Sequence, residues 1–180
     1  KLFDDIAVNY VKKDLTTYCR VARKLRLVQS LKGIKQPIKK ILEVGCGAGF
    51  SVEYLKGKFI NYTGVDYSEN LIKYAKKHNN NTGVKFECLN INDFNPEFKF
   101  DVVLMIGVLH HMPEPEKVIK SLSRILNSNG IIVVNEPQAG NPLIGLLRKI
   151  RKKIDNNYSA DQVEFTEDEI HSMFKKCGHE

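Results

Sequence analysis

The stretch that decides the fold reads Ile41-Leu-Glu-Val-Gly-Cys-Gly-Ala-Gly-Phe50. An apolar run typical of a buried strand leads into three glycines spaced G-x-G-x-G, and a helical pattern begins near Ser51. Glycines in such a turn adopt backbone conformations that a Cβ would forbid, and they let the main chain pass close beneath a ligand. The free N–H groups at the start of the helix favour an anionic group. The segment therefore predicts a strand–loop–helix unit that cradles a ligand.

Short runs rich in Val and Ile recur along the chain, with amphipathic stretches between them. They are apolar at successive positions, as strands covered on both faces of a parallel sheet should be, and they predict strands at residues 41–44, 62–65, 84–89, 102–106 and 131–134. Helices are predicted from Ser51, from the N-cap Ser68 to about His78, and from Glu114 to Leu126, before a turn at residues 127–130. The alternation predicts a doubly wound, Rossmann-like α/β sheet with helices on both faces and ligands at the carboxyl ends of the strands.

The two ends of the chain are predicted to be helical. Apolar residues recur every three or four positions near the start, at Leu15, Tyr18, Cys19, Ala22, Leu25 and Val28. Residues 142–154 predict a basic amphipathic helix. Thr166 and Glu169 have the spacing of a capping box, and Gly178 fits the C′ position of the helix that follows.

Composition limits the classes of protein that fit. The chain has 180 residues, 42% of them apolar and 27% charged, which is ordinary for one soluble domain. No apolar run is long enough to cross a bilayer, and the four cysteines, Cys19, Cys46, Cys88 and Cys177, have neither disulfide-framework nor zinc-site spacing. We therefore predict a cytoplasmic protein with free thiols.

The net charge of +7 raises the question of a nucleic-acid partner. Much of the excess is lysine spread singly over predicted helix faces, and only residues 148–153 form a tight basic run. The charge by itself therefore decides little, and we regard a nucleic-acid partner as the weaker prediction.

Asp66 ends the second predicted strand, 17 residues after Gly49. A carboxylate at this place can accept hydrogen bonds from both hydroxyls of a ribose. A nicotinamide dehydrogenase would use the same acid, but its loop reads G-x-G-x-x-G, and the sixth position here is Phe50. The pattern favours a nucleoside ligand without a pyrophosphate.

Together these segments resemble the class I S-adenosylmethionine-dependent methyltransferases, specifically the small-molecule group that includes the quinone-biosynthesis enzymes. The resemblance extends over residues 3–178 and rests on five segments in the family's order: 3–10, 43–49, 64–68, 86–94 and 100–113. It implies a single domain, residues 1–180, with a helical lid at 1–36 and a cofactor-binding core at 37–136. Residues 137–180 would then form a substrate-covering segment and a C-terminal helix.

The resemblance also implies which residues hold S-adenosyl-L-methionine. The methionine part would lie along the loop formed by Glu43, Gly45, Cys46, Gly47 and Gly49. Asp66 would bind the ribose, and the adenine would contact Tyr67, Asn90 and the Ile91 backbone. Asn90 stands where the family often has an acid. Ile106 and Gly107 would face the methionine amino group and the sulfonium, and Tyr10 would fold over the cofactor from the lid.

Two histidines, His110 and His111, follow the fourth predicted strand. Methyl transfer from a sulfonium needs neither an acid for the leaving group nor a metal, so a base is required only when the attacking atom must lose a proton. Imidazole titrates near neutral pH, so either histidine is a candidate base. The alternative is that one of them, with His111 the first choice, only ties the loop to the next helix.

We therefore predict metal-independent methyl transfer to an oxygen or carbon atom of a small or lipid-like molecule. Strand four lacks the Asn/Asp-Pro-Pro-aromatic motif of enzymes that methylate base amines, and the carboxylate set of magnesium-dependent catechol enzymes is not found. RNA or protein methylation and a catalytically silent cofactor-binding domain remain alternatives. Residues 142–154 could contact a membrane peripherally, and the oligomeric state cannot be predicted.

The resemblance carries one more expectation. The family's sheet has seven strands and only five are found here, so strand five would expose an edge rich in Val and Ile. We expect the natural protein to continue past Glu180 for several tens of residues, with a hairpin that covers this edge.

Overall fold

The computed structural model describes residues 2–34, 37–137, 139 and 164–179. Two helices come first, α1 (Leu2–Asp14) and α2 (Thr17–Leu31). The central part alternates β1 (Lys40–Val44), α3 (Ser51–Tyr54), β2 (Asn61–Asp66), α4 (Glu69–His78), β3 (Val84–Cys88), β4 (Phe100–Ile106), α5 (Pro115–Arg124) and β5 (Leu126–Asn135). Short 3₁₀ helices, Ile91–Asp93 and Leu109–His111, follow β3 and β4, and α6 (Glu167–Lys176) comes last.

The five strands form one sheet in the order β3-β2-β1-β4-β5, and every neighbouring pair is parallel. The order reverses between β1 and β4, so the loops that leave these two strands diverge at their carboxyl ends. A crevice at such a reversal is where open α/β sheets bind ligands. The predicted doubly wound sheet is confirmed.

Helices cover both faces of the sheet because successive strand residues point to opposite sides. In β1, Ile41 packs in a cluster with side chains of α2, α3 and α4, whereas Leu42 and Val44 pack in another with side chains of α5 and α6. All three side chains are at most 2% exposed. Burial on both faces explains why the strands read as continuous apolar runs.

Three helix-end predictions are confirmed by hydrogen bonds. The Ser68 hydroxyl accepts from the Leu71 N–H at the start of α4. Thr166 and Glu169 form a complete capping box at the start of α6. Gly178 follows α6 with a φ of +85°, the left-handed conformation expected at C′.

The predicted turn at residues 127–130 lies inside β5. The strand already pairs at Leu126, opposite Phe100, and the register then shifts so that Ile131 pairs with Val102. The four polar residues therefore form an irregularity in the strand, and α5 ends at Arg124, earlier than predicted. Turns and strand bulges have similar residue compositions, because the backbone in both departs from the regular hydrogen-bond ladder of a sheet.

The apolar repeat of the N-terminal region does not lie on the buried face. The region forms two helices, and Thr16 caps the second by accepting from the Cys19 N–H. The α2 residues that reach the core are Leu27 and Leu31, at 0% and 8% exposed, whereas Leu25 is 57% exposed. Periodicity identified the helix, but its docking against the sheet determined which face is buried.

The predicted basic helix at residues 142–154 lies outside the described residues. Within the described ranges, no helix combines the length and the apolar content needed to cross a bilayer.

Candidate functional site

The glycine loop after β1 is packed tightly on two sides. Gly45 has a φ of +69°, and a Cβ built on it would lie 2.4 Å from a methyl carbon of Val108 in the loop after β4. Gly49 has a φ of +75°, and its Cβ would lie 2.7 Å from the ring of Phe86. Real Cβ atoms do not approach neighbours this closely, so both positions require glycine for conformation and for space.

Gly47 and Gly107 face open space instead. Both have positive φ angles, +54° and +67°, and a Cβ on either would meet nothing within 4 Å. Gly47 lies at the turn of the loop after β1, and Gly107 directly follows β4. The two bare backbone segments therefore leave room for a ligand at the point where the strand order reverses.

Asp66 presents its carboxylate at the end of β2, beside this opening. Its Oδ2 accepts from the Gly47 N–H and its Oδ1 from the Ser68 N–H, each at 2.9 Å. Burial raises the pKa of Asp66 against the lowering effect of the backbone N–H groups of Ser68, Gly47 and Tyr67. The side chain is half-buried, so the carboxylate is a candidate acceptor for the hydroxyls of a ribose.

Three further residues expected around the adenine lie at the ends of β2 and β3. Tyr67 follows Asp66 and is 52% exposed, so its ring can pack against a ligand. Asn90 uses its Oδ1 to accept from the Asn92 N–H and so caps the 3₁₀ helix that begins at Ile91. The amide Nδ2 of Asn90 can contact a ligand as a donor.

Glu43 and Cys46 support the loop from below and turn away from its open side. Glu43 is 2% exposed, and its carboxylate accepts from Ser51 Oγ at 2.7 Å and from the Tyr62 hydroxyl. Cys46 is 1% exposed and packs with its Sγ against Gly64. The Glu43 side chain is buried beneath the loop and accepts from two protein hydroxyls, and its place among the cofactor-binding residues stays a prediction. At Cys46 only the backbone faces the loop.

The N-terminal helices pack over the glycine loop. Asp4 of α1 accepts from Ser68 Oγ at 2.7 Å and from the Asn70 N–H at 3.1 Å, so α1 begins beside Asp66. A small apolar cluster fixes the rest of the helix, with Tyr10 packed against it: Ala7, Val11, Ala48 and Leu71. Burial, followed by the charge of Asp14, raises the pKa of Tyr10. Tyr10 thus lies next to the glycine loop, and its role as a lid over the cofactor stays a prediction.

Arg23 is a residue of this region that the sequence does not single out. Its guanidinium contacts the Asp14 carboxylate at 2.5 Å and lies 5.9 Å from the centre of the Phe50 ring, at the end of the loop. The helix after the loop, α3, has only one turn, so its dipole offers an anion less than the sequence suggests. Arg23 therefore brings a positive side chain, paired with Asp14, to the end of the loop.

Beyond β4, His110 is held by an acid from β5. Its Nδ1 lies 2.5 Å from Oε2 of Glu136, and the other oxygen of Glu136 accepts from the Val108 and Leu109 N–H groups at 2.9 and 2.7 Å. Glu136 therefore fixes both the loop and the imidazole, with Nδ1 as the donor. The sequence did not single out Glu136, although an acid directly after a strand at this edge is a usable signal.

His111 stands beside His110 with its ring centre 3.9 Å away. The sequence favoured His111 as the residue that ties the loop, but the bonds to the β5 acid belong to His110. Burial, followed by the neighbouring His110, lowers the pKa of His111 to about 4. The His111 imidazole is therefore neutral at physiological pH.

A comparison with protein-family models gives a match to the description "Methyltransferase domain" over residues 35–178. The chain belongs to the methyltransferase domain family. This match includes the glycine loop, Asp66 and both histidines, and the sheet is that of the class I, S-adenosylmethionine-dependent methyltransferases. The resemblance that the sequence suggested is confirmed.

Relatives of this methyltransferase domain are similar in sequence and in structure. A ubiquinone biosynthesis O-methyltransferase of Coxiella burnetii is 34% identical over 107 residues, which are 56% of this chain and 46% of that protein. The chain spans less than half the length of the curated relatives it matches most strongly. A solved S-adenosylmethionine-dependent methyltransferase of Thermotoga maritima is 24% identical and has a TM-score of 0.74, with 98% of this chain and 79% of that chain covered.

A second solved neighbour is the plantazolicin methyltransferase in complex with S-adenosylhomocysteine. It is 23% identical with a TM-score of 0.75, and the match covers 96% of this chain and 68% of that chain. At 23% identity this similarity shows that the two proteins share a fold. The features that fit S-adenosylmethionine come from this chain itself: open space over Gly47 and Gly107, a half-buried carboxylate at Asp66, and an exposed ring at Tyr67.

Proposed function

We propose that this domain transfers a methyl group from S-adenosylmethionine to an oxygen atom of a small or lipid-like molecule, without a metal, with His110 as the base. The observation that carries the proposal is the His110–Glu136 pair, which follows β4 three residues beyond the open backbone at Gly107. A carboxylate-held imidazole beside the cofactor crevice suits an acceptor that must lose a proton.

When bound, the cofactor supplies a methyl carbon already activated by positive sulfur. The chain's own residues position it: Asp66 accepts the ribose hydroxyls, Gly45 to Gly49 run along the methionine part, and Arg23 is close enough to the loop to stabilise a carboxylate there. Ile106 and Gly107 line the other side, at the end of β4. Orientation of this kind can lower the barrier by roughly 7 to 11 kcal/mol, so positioning carries most of the catalysis.

The proton of the acceptor goes to His110. Glu136 accepts from Nδ1, which leaves Nε2 as the basic nitrogen, and its negative charge stabilises the imidazolium that forms when an acceptor hydroxyl gives up its proton. His111 is the poorer base, because a pKa of about 4 makes proton uptake unfavourable at neutral pH.

The class of acceptor is inferred from relatives and from the site. Relatives that match this chain are named ubiquinone biosynthesis O-methyltransferases, which favours a phenolic oxygen over carbon. Among the residues described, no group of three or more His, Cys, Asp or Glu side chains is arranged to hold a metal ion. Metal independence stays a prediction, to be tested by activity in the presence of a chelator.

Transfer of an isotope-labelled methyl group to a panel of phenols and catechols tests the proposal. We expect His110→Gln to lower kcat by roughly 10²- to 10⁴-fold, the usual contribution of a general base, with an unchanged Kd for S-adenosylhomocysteine. Glu136→Gln should also lower kcat, because the imidazole loses the carboxylate that fixes its tautomer. The loss should be smaller than in His110→Gln, because the imidazole itself stays in place.

His111→Gln is the matched control. His111 is neutral above about pH 4. The His111→Gln variant should therefore show the same pH dependence of activity between about pH 5 and 8 as the wild type. Equal losses of kcat in the two histidine variants would contradict the assignment of the base. Cofactor binding with no labelled product from any acceptor, including a cell extract, would favour the catalytically silent domain.

A further inference from the structure

The outer face of α2 carries a row of exposed apolar side chains, called here the α2 stripe: Tyr18, Val21, Leu25 and Val28. They are 82%, 52%, 57% and 41% exposed. Their spacing of three, four and three residues places them on one side of the helix, opposite the buried Leu27 and Leu31.

The α2 stripe is a concentrated feature of the surface. Nine large apolar side chains are exposed in the described ranges, and six of them lie in the first 28 residues of the chain. Besides the stripe these include Val8 of α1 and Leu15, which continues the row one step before the helix. Single exposed apolar residues need no explanation, but a continuous row marks an interaction surface.

The same segment holds a concentrated positive charge. Residues 15–42 contain eight Lys and Arg residues and no Asp or Glu, which more than accounts for the net charge of +7 of the whole chain. Arg20 and Arg23 contact Glu53 and Asp14 from neighbouring parts of the fold. Lys24 and Arg26 are exposed on the two sides of the stripe.

A groove adjoins the stripe at Val21. It has a volume of about 380 Å³ and lies between α2 and α3, lined by Thr17, Arg20, Val21, Lys24, Glu53 and Tyr54. Lys24 lines the groove next to the Arg20–Glu53 ion pair and can attract an anionic head group, while the apolar stripe beside it can enter a hydrocarbon phase. A row of apolar residues flanked by bases is the arrangement of helices that lie in a membrane interface.

We propose that the outer face of α2 binds the surface of an anionic phospholipid membrane. A nucleic acid would contact the Lys and Arg side chains of this face but would leave its aliphatic side chains exposed to water. A protein partner would need an acidic surface along the full length of the helix. An anionic bilayer presents negative charge uniformly over such a length. Tyr18, with its apolar ring and polar hydroxyl, suits the boundary between head groups and acyl chains. The proposal depends neither on the methyl acceptor nor on residues 142–154.

Vesicle flotation with the full chain tests the proposal. We expect binding to vesicles of phosphatidylcholine mixed with phosphatidylglycerol, little binding to phosphatidylcholine alone, and a loss of binding as salt is raised. Leu25→Ser should weaken the partition constant about tenfold, from the apolar side chain removed. The double variant Lys24→Glu with Arg26→Glu should weaken the partition constant more, because each basic side chain near an anionic surface raises that constant roughly fivefold.

Ile60→Ser and Lys120→Glu are the matched controls, because Ile60 is 65% exposed and Lys120 is exposed, and both lie outside α2. All substituted residues are on the surface, so thermal unfolding should be unchanged, and the labelled-methyl assay is a separate readout. Equal binding to neutral vesicles would overturn the proposal, as would equal losses in the control variants. A wild-type dimer that Leu25→Ser converts to a monomer would also overturn it and assign the stripe to a second copy of the chain.

Discussion

Removal of the Asp66 carboxylate should weaken cofactor binding more than removal of another carboxylate at the carboxyl ends of the strands. The Asp66 carboxylate accepts from the Gly47 and Ser68 N–H groups at the end of β2, and in the proposed site it also accepts the two ribose hydroxyls. Two hydrogen bonds to a charged acceptor are together worth roughly 2 to 4 kcal/mol. Asp66→Ala should therefore raise the Kd for S-adenosylhomocysteine by roughly thirtyfold to several hundredfold.

Isothermal titration calorimetry with S-adenosylhomocysteine measures this effect directly. Asp93→Ala is the control, because Asp93 is an exposed acid in the 3₁₀ helix beside the site and has no role in the proposed ribose contact. Circular dichroism must first show that both variants remain folded, since Asp66 also anchors the loop at Gly47. Equal dissociation constants for the two variants would refute the placement of the ribose.

Two further predictions concern stability. Burial raises the pKa of Glu43 above the usual range of a glutamate, so the unfolded chain releases this proton first, and stability should fall as the pH rises through the window between the two pKa values. Glu43→Gln removes this ionisation, so differential scanning calorimetry from about pH 5 to 8 should show a flatter Tm than in the wild type; parallel curves would contradict the burial argument. Gly49→Ala adds a Cβ 2.7 Å from Phe86 at a φ of +75° and should cost about 3 kcal/mol in urea unfolding. Gly57→Ala, with a φ of +79° and open space, should cost only about 1 kcal/mol, and equal costs would show that the contact with Phe86 is unimportant.

The features that the sequence determined by itself are those encoded within a few neighbouring residues. The five strands read as apolar runs, and the caps at Ser68 and Thr166 depend on hydrogen bonds that span three residues. The glycine loop and Asp66 could be found because a tight turn next to a ligand restricts residue types locally. These signals sufficed for the fold.

The tertiary structure alone decided which groups meet across long separations. Glu136 lies 26 residues from His110, and no local pattern links them, so the sequence did not reveal this pair. The sequence likewise did not reveal that the Glu43 carboxylate accepts from Ser51 and Tyr62, which lie 8 and 19 residues away along the chain. The α2 helix has apolar residues on two faces, and only its docking against the sheet selected Leu27 for the core and left Leu25 exposed. Burial and pairing depend on what each side chain packs against, and that is a property of the folded chain.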